Sequence, residues 1–300
     1  MLKKNNGKYN INSLILCGLV FFVIAATAFC MVVNSREAAE EKQRIAAEKK
    51  AEEDKKAAEE AAAAAAQKAA EERAQSMSVQ PGVPVGTTEV NSDEKVVYLT
   101  FDDGPSENTQ KVLDILAQYD VKATFFVTGA HEELRPLIKT AYDAGHTIGL
   151  HTYSHDYAKV YASVDSYFSD LEQIGEVVKE QIGFVPCFIR FPGGASNTVS
   201  RKYCEGIMTA LSQQVLEKGY QYYDWNVSSG DGGSGCTKDE IIANSETDKY
   251  SHVMLLFHDA ATKNATVEAL PSIIEYYKNL GYEFRAIDRN SYVSHHAVNN

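Results

Sequence analysis

Cysteine is scarce in this chain: five residues in 300, with no Cys-x-x-Cys pair. That excludes a disulfide scaffold, a zinc finger and a thioredoxin-type motif, so any metal must be held by other ligands. Positive charge is in deficit as well. Lys and Arg number 29 against 41 Asp and Glu, a formal net charge of -12, and no basic cluster follows Lys3, Lys4 and Lys8. A nucleic-acid partner is excluded, and neutral or cationic substrates are favoured. Large aliphatic residues are missing from 36 to 75, where Ile45 stands alone in a run made almost wholly of Ala, Glu, Lys, Arg and Gln. Without a Leu/Ile seam there is no stable coiled coil, yet these are the strongest helix formers. The run predicts a solvated single helix about 60 Å long at 1.5 Å per residue, with room for weak self-association.

What is present divides the chain. Ser13 to Val33 carries no charge and follows three lysines, which predicts a membrane-crossing helix with its positive end inside. A cleaved signal peptide ending near Ala26-Thr27-Ala28 is the alternative; the apolar stretch exceeds a usual signal core, so an uncleaved anchor is favoured. Neither Cys17 nor Cys30 follows the small residue expected before a lipidated cysteine. The expected plan is a cytoplasmic N-terminus (1–12), an anchor (13–33), a helical stalk (34–76), a linker with Pro81, Gly82, Pro84 and Gly86 (77–93), and a module from 94 to 300. It places a single-pass protein in the cell membrane with the module outside.

From Glu94 onward, apolar strand-like runs alternate with amphipathic stretches. The predicted strands are Lys95–Phe101, Ala123–Thr128, Thr147–His151, Cys187–Phe191, Gln221–Val227, His252–His258 and Tyr282–Ile287. Helices are predicted at Thr109–Tyr119, Glu132–Ala144, Ser163–Ile182, Val199–Lys218 and Val267–Leu280. Such alternation argues for an α/β fold on a parallel sheet, open or closed; about seven strands fit a barrel slightly short of eight. Polar residues just after the strands should then line one cleft.

Those residues form a pattern. Thr100-Phe101-Asp102-Asp103-Gly104-Pro105 ends the first strand, and taken alone reads as a turn with two repelling carboxylates. The third strand ends in His151-Thr152-Tyr153-Ser154-His155, the fourth in Arg190-Phe191-Pro192-Gly193; the fifth leads to Asp231 and the sixth ends in His258-Asp259. Two imidazoles and a carboxylate make a mixed nitrogen and oxygen set suited to zinc or a similar divalent ion with open positions. The cation would also relieve the repulsion between the acids.

In order and approximate spacing, Thr-Phe-Asp-Asp-Gly-Pro, His-Thr-x-x-His, Arg-x-Pro-Gly, the Asp after Asp-Trp-Asn, and Leu256-Phe257-His258 resemble the motifs of the polysaccharide deacetylase family, carbohydrate esterase family four. The resemblance runs from about Glu94 to Asp288. It implies a distorted (β/α)7 barrel that removes N-acetyl or O-acetyl groups from polysaccharides. By position in those motifs, Asp103, His151 and His155 would hold the metal, Zn2+ first and Co2+, Mn2+ or Ni2+ as alternatives. Asp102 would be the general base for water attack, and His258 the general acid for the leaving amine. Asp231 would pair with His258, and Arg190 would hold Asp102 in place. Gly193, through its main-chain amide, with Pro192, Leu256 and Trp225, would face the oxyanion and substrate.

Two departures stand out: Gly193-Gly194 where many relatives have a tyrosine after the proline, and Gly232 where a tryptophan is frequent. Both imply a wider or differently walled groove. Asp224 rivals Asp231 but falls within the predicted strand. His131 and His146 read as helix-end caps or surface groups, and Trp225 as a sugar platform or a core residue. Cys204 and Cys236 are a candidate pair in an oxidising exterior, with Cys187 a buried thiol. The expected partner is an acetylated polysaccharide. Peptidoglycan N-acetylglucosamine is favoured by location, with chitin oligomers, poly-N-acetylglucosamine and O-acetylated glycans as alternatives. A non-catalytic wall-binding protein and a stalk that recruits a partner helix are the readings from other classes.

Overall fold

The structure, a computed structural model, describes residues 11–299. Two compact units meet between Ala70 and Glu71. Helix α1 (Ile11–Met77) contains both the apolar segment and the Ala-rich run. Leu16, Phe21, Phe22 and Phe29 on it are exposed, as are the ion pairs Arg44–Glu41 and Lys55–Glu59. Residues 1–10, including the predicted lysine cluster, lie outside the described residues.

The second unit is a sheet wrapped by helices. In chain order it comprises β1 (Val96–Asp102), α2 (Glu107–Gln118), β2 (Thr124–Thr128), α3 (Pro136–Asp143), β3 (Thr147–Thr152), α4 (Tyr157–Val160), α5 (Val164–Ile182) and β4 (Phe188–Ile189). There follow α6 (Ile207–Glu217), β5 (Gln221–Tyr222), β6 (Val227–Ser228), α7 (Lys238–Ser245), β7 (His252–His258), α8 (Asn264–Asn279) and β8 (Glu283–Phe284). The strands pair in parallel in the order β5-β4-β3-β2-β1-β7-β6, with β8 also on β1. This is the distorted (β/α)7 arrangement expected from the sequence.

The period of two along a strand assigns the faces. Val97, Leu99 and Phe101 pack outward under the helices, where Phe101 stacks between Phe125 and Phe257 at 5.2 and 5.5 Å. Val96 and Tyr98 point inward with Phe126, Phe188, Tyr223 and Met254. The same alternation sends Thr100 and Asp102 inward, at the C-terminal end of the lumen. Each wholly buried aromatic of this kind contributes on the order of 2 kcal/mol.

Several elements differ from their sequence-based bounds. The predicted fifth strand splits into β5 and β6. Between them Asp224 and Asn226 bond backbone groups with their side chains: Asp224 accepts from Ala195 and His296, and Asn226 accepts from Met254 while donating to His252. Such local competition replaces the ladder. Asp224 N–H donates instead to Ser294 O at 2.8 Å, so the chain near residue 294 fills the gap between the two strands. Pro136 opens α3 at its first turn and separates it from a 3-10 turn over Glu132–Leu134. Helices α4 and α7 were not foreseen, although Thr237-x-x-Glu240 is a capping box that announces α7.

The 77–93 stretch, expected as a linker, is bonded to the domain: Val79 N–H to Val185 O at 3.0 Å, Cys187 N–H to Met77 O at 2.8 Å and Gly86 N–H to Arg289 O at 2.7 Å. Cys204 and Cys236 are free thiols and form no disulfide.

His146 is not a surface cap. It is buried, its Nδ1 accepts from Ala123 N–H at 3.1 Å, and its carbonyl takes Arg73. Burial first, then Lys122 and Arg73, pushes its pKa down to about 4. A folded value below the unfolded 6.5 means stability present above pH 6.5 and lost as pH falls through 4. At about 1.4 kcal/mol per pH unit this is roughly 3 kcal/mol. His146→Gln should shrink the acid loss of unfolding free energy between pH 6.5 and 4 by about that amount; an unchanged loss in denaturant titrations would refute the assignment.

Candidate active site

Inward-facing positions at the strand ends bring the polar residues to one rim. Asp102 follows Thr100 on the lumen face of β1. Arg190 follows Phe188 on that of β4, and His258 follows Met254 and Leu256 on that of β7. Arg190 is wholly buried and every arm of its guanidinium is engaged. Nη1 donates to Asp102 Oδ1 at 2.9 Å and to Thr100 Oγ1 at 2.7 Å, Nε to Tyr223 O at 2.8 Å, and Nη2 to Asp224 O at 3.0 Å. Its plane lies over Phe126, 4.3 Å from the ring centroid. Buried ion pairs are tolerated only when satisfied this fully.

Asp103, one residue past β1, takes φ 75° and His155 takes φ 50°. This left-handed region disfavours side chains, and both residues accept it to bring their donor atoms to a common point. Asp103 Oδ1 lies 3.6 Å from His151 Nε2 and 3.3 Å from His155 Nε2. Three ligand atoms, one from each residue, converge within 4.8 Å. His151 Nδ1–H donates to Arg190 O at 2.8 Å, which leaves the Nε2 lone pair on the side of Asp103. Burial outweighs the neighbouring carboxylates and lowers the His151 pKa, favouring the neutral ligand form. Asp103 Oδ1 is itself buried without a hydrogen-bond partner. An orphaned carboxylate oxygen beside two imidazole lone pairs fits a divalent cation.

Opposite stands His258. Its Nδ1 bonds Asp231 Oδ1 at 2.8 Å, and its backbone N–H reaches Asp231 Oδ2 at 2.8 Å. Thr266 Oγ1 donates to the same Oδ2 at 2.8 Å, and Lys263 donates to the Asp231 carbonyl. Burial works against the charged imidazolium, but the Asp231 hydrogen bond and the charges of Asp102, Asp231 and Asp103 together raise the pKa above 6.5. For Asp231 burial is again the largest single influence, and the bonds from His258 and Thr266 outweigh it and lower the pKa. Asp231, not Asp224, partners the histidine.

The Gly193 turn lies at the same rim. Tyr161 hydroxyl and Asn197 hold Pro192 O at 2.8 and 3.2 Å, and Gly194 N–H closes on Phe191 O at 2.8 Å. Between these anchors the Gly193 N–H has no acceptor among the described residues. Both glycines have positive φ, 78° and 75°. Leu256 is buried in the wall, and Trp225 lies against Gly194, His296 and Arg190. Gly232 sits so close to His258 that a Cβ there would fall 3.2 Å from Cε1, and a cavity of about 300 Å³ opens between residues 231–236 and Lys263.

Residues 89–207 match the family described as Polysaccharide deacetylase. A peptidoglycan-N-acetylglucosamine deacetylase of Bacillus cereus is 30% identical over 236 residues, 74% of this chain and 81% of that protein. The chain belongs to the polysaccharide deacetylase family. Among solved structures, the catalytic domain of a peptidoglycan N-acetylglucosamine deacetylase from Eubacterium rectale is 43% identical with a TM-score of 0.68, covering 71% of this chain and 98% of that one. The peptidoglycan-N-acetylmuramic acid deacetylase PdaA of Bacillus subtilis is 33% identical over 207 residues, 66% of this chain and 72% of that protein.

This polysaccharide deacetylase also uses residues that motif reading passed over. Asp170 on α5 accepts from Tyr153 and Ser154 N–H at 2.6 and 3.2 Å, holding the loop between the two histidines. Nothing in a helix-interior aspartate signals that. Asp259, next to His258, is buried and its pKa is pushed up to about 7, chiefly by burial. Its Oδ2 accepts from Thr109 at 2.5 Å, and its backbone N–H reaches Asp102 O at 3.1 Å, tying the start of α2 and the end of β1 to β7. A second acid at a strand end was visible in the sequence as His258-Asp259, without a role.

Proposed function

We propose that this deacetylase hydrolyses the N-acetyl group of N-acetylglucosamine in peptidoglycan. The observation that carries the reading is the division of the rim into an arginine-held acid, Asp102, and an acid-held histidine, His258, on either side of the Asp103–His151–His155 group. Asp103, His151 and His155 would hold a divalent cation, Zn2+ or else Co2+, Mn2+ or Ni2+, and the chemistry it would supply when bound is Lewis acidity. Asp102 takes the proton from the attacking water, with Arg190 fixing its carboxylate and Thr100 steadying the same guanidinium nitrogen. Gly193 N–H receives the oxygen that becomes negative as the carbonyl carbon turns tetrahedral. His258 gives a proton from Nε2 to the departing amine, and Asp231 keeps Nδ1–H directed away from it.

The names of the relatives and the exposed apolar stretch of α1 support a wall substrate reached from the membrane. The Bacillus subtilis relative named for N-acetylmuramic acid makes that sugar the second reading. The detergent-solubilised full chain should release acetate from peptidoglycan, stop with chelator, and resume with Zn2+, Co2+, Mn2+ or Ni2+. Mass spectrometry of the resulting muropeptides assigns the deacetylated sugar. No acetate from any acetylated glycan with any of these ions would end the proposal.

A further inference from the structure

Gly193 has a neighbour that none of the motifs contains. A Cβ built on Gly193 would lie 2.7 Å from the hydroxyl of Tyr157, so that hydroxyl already occupies the space a side chain at 193 would take. Tyr157 opens α4, two residues after His155. Its ring is clamped edge-on between His155, at 5.9 Å and 77°, and Tyr161, at 5.4 Å and 72°. Tyr161 in turn holds the carbonyl just before Gly193. The phenol therefore has a fixed direction, and among the described residues its hydroxyl has no hydrogen-bond partner. Beside it the Gly193 N–H is also unpaired among the described residues. Two donors without acceptors among the described residues, one from the backbone of Gly193 and one from the phenol packed against it, thus lie side by side next to His155.

We infer that the Tyr157 hydroxyl is a second donor to the acetyl oxygen, acting with the Gly193 N–H as a catalytic residue of the deacetylation. The inference rests on the hydrolytic reading above. As the water oxygen bonds to the acetyl carbon, the carbonyl π pair moves onto oxygen, and Asp102 takes the water proton. The Tyr157 O–H shortens its hydrogen bond to that oxygen without giving up its proton, acting as a donor and not as an acid. When the C–N bond breaks, the pair returns to re-form the carbonyl of acetic acid, the amine takes its proton from His258, and the Tyr157 bond relaxes. A donor that tightens only as charge develops lowers the barrier and not the ground state.

The test is Tyr157→Phe in the full chain loaded with Zn2+, beside wild type. The phenyl ring keeps both edge contacts, so the bound metal and the melting temperature should match wild type. kcat should fall on the order of 10²-fold with KM unchanged. Wild-type kcat in the variant overturns the inference while the hydrolytic reading stands. A raised KM with unchanged kcat also overturns it, and makes the ring a sugar contact. So does a loss of kcat that follows a loss of metal, since Tyr157 would then act through His155. A wild-type protein that releases no acetate from any glycan removes the hydrolytic reading, and this inference with it.

Discussion

Asp102→Asn should lower kcat for acetate release by about 10³-fold, within the range that a positioned general base supplies. Asparagine keeps the size of the residue and can still accept from Arg190 Nη1, so the bond now at 2.9 Å survives in neutral form. What disappears is the lone pair that takes the water's proton. A second effect accompanies the first. Arg190 is wholly buried, and among the described residues Asp102 is the one acid in ion-pair contact with it, so the variant leaves a buried cation without a counter-charge. Breaking such a pair costs about 3–5 kcal/mol, here reduced because Thr100, Tyr223 and Asp224 still accept from the guanidinium. Acetate release, urea unfolding and metal content measured on one preparation separate the outcomes. The expected result is an enzyme that retains its metal, unfolds at lower urea and is nearly inactive. Near-wild-type kcat would remove Asp102 from the role of base.

His258→Asn and Asp231→Asn should differ in their pH profiles rather than merely in size of loss. The reaction as proposed needs His258 protonated, so kcat/KM should fall on the alkaline side as the imidazolium loses its proton, above the ordinary 6.5 because its pKa is raised. Burial opposes that rise and Asp231 supplies the largest part of what overcomes it. Removing the Asp231 charge should therefore move the alkaline limb toward lower pH and leave the acid limb in place. Removing the imidazole should cost about 10²–10⁴-fold and abolish the limb altogether. A stopped acetate assay across pH on the three proteins reads both effects. An alkaline limb that stays put in Asp231→Asn would mean that another group sets it.

The pairing of carboxylates that looked unfavourable in Asp102-Asp103 resolves once strand periodicity is carried to the strand ends. Val96, Tyr98, Thr100 and Asp102 share the lumen face, and the turn after Asp102 swings Asp103 back into the same cavity through a left-handed φ. The alternation was readable from the sequence. The turn was readable too, but its left-handed backbone at Asp103 was not, because a positive φ at aspartate is set by what surrounds it and not by local preference. Likewise the strand ends carrying His151, Arg190 and His258 were legible as punctuated apolar runs. The split between β5 and β6 was hidden in an apolar stretch, since Asp224 and Asn226 find partners at residues 195, 296, 252 and 254, far along the chain. His146 misled for a related reason. At a helix end it resembles a cap, and only the packing of β2 beside it shows a buried acceptor. Tyr157 was passed over because a residue two places beyond a histidine motif has no pattern of its own, and its significance comes from a glycine 36 positions later.

The bond from Asp224 N–H to Ser294 O has a consequence for the order in which the domain is made. Asp224 grips both sides of a gap, with one carboxylate oxygen on Ala195 N–H in the turn after Gly193–Gly194 and the other on His296 N–H. A chain is synthesised from its N-terminus, so the strands bearing Asp102, His151, Arg190 and His258 emerge well before residues 294–296 do. Until then the turn that presents Gly193 lacks the segment that completes its support. The turn's earlier anchors, Tyr161, Asn197 and Asp224, are already made by then, and its last support comes from a stretch of sequence that contains none of the proposed chemistry.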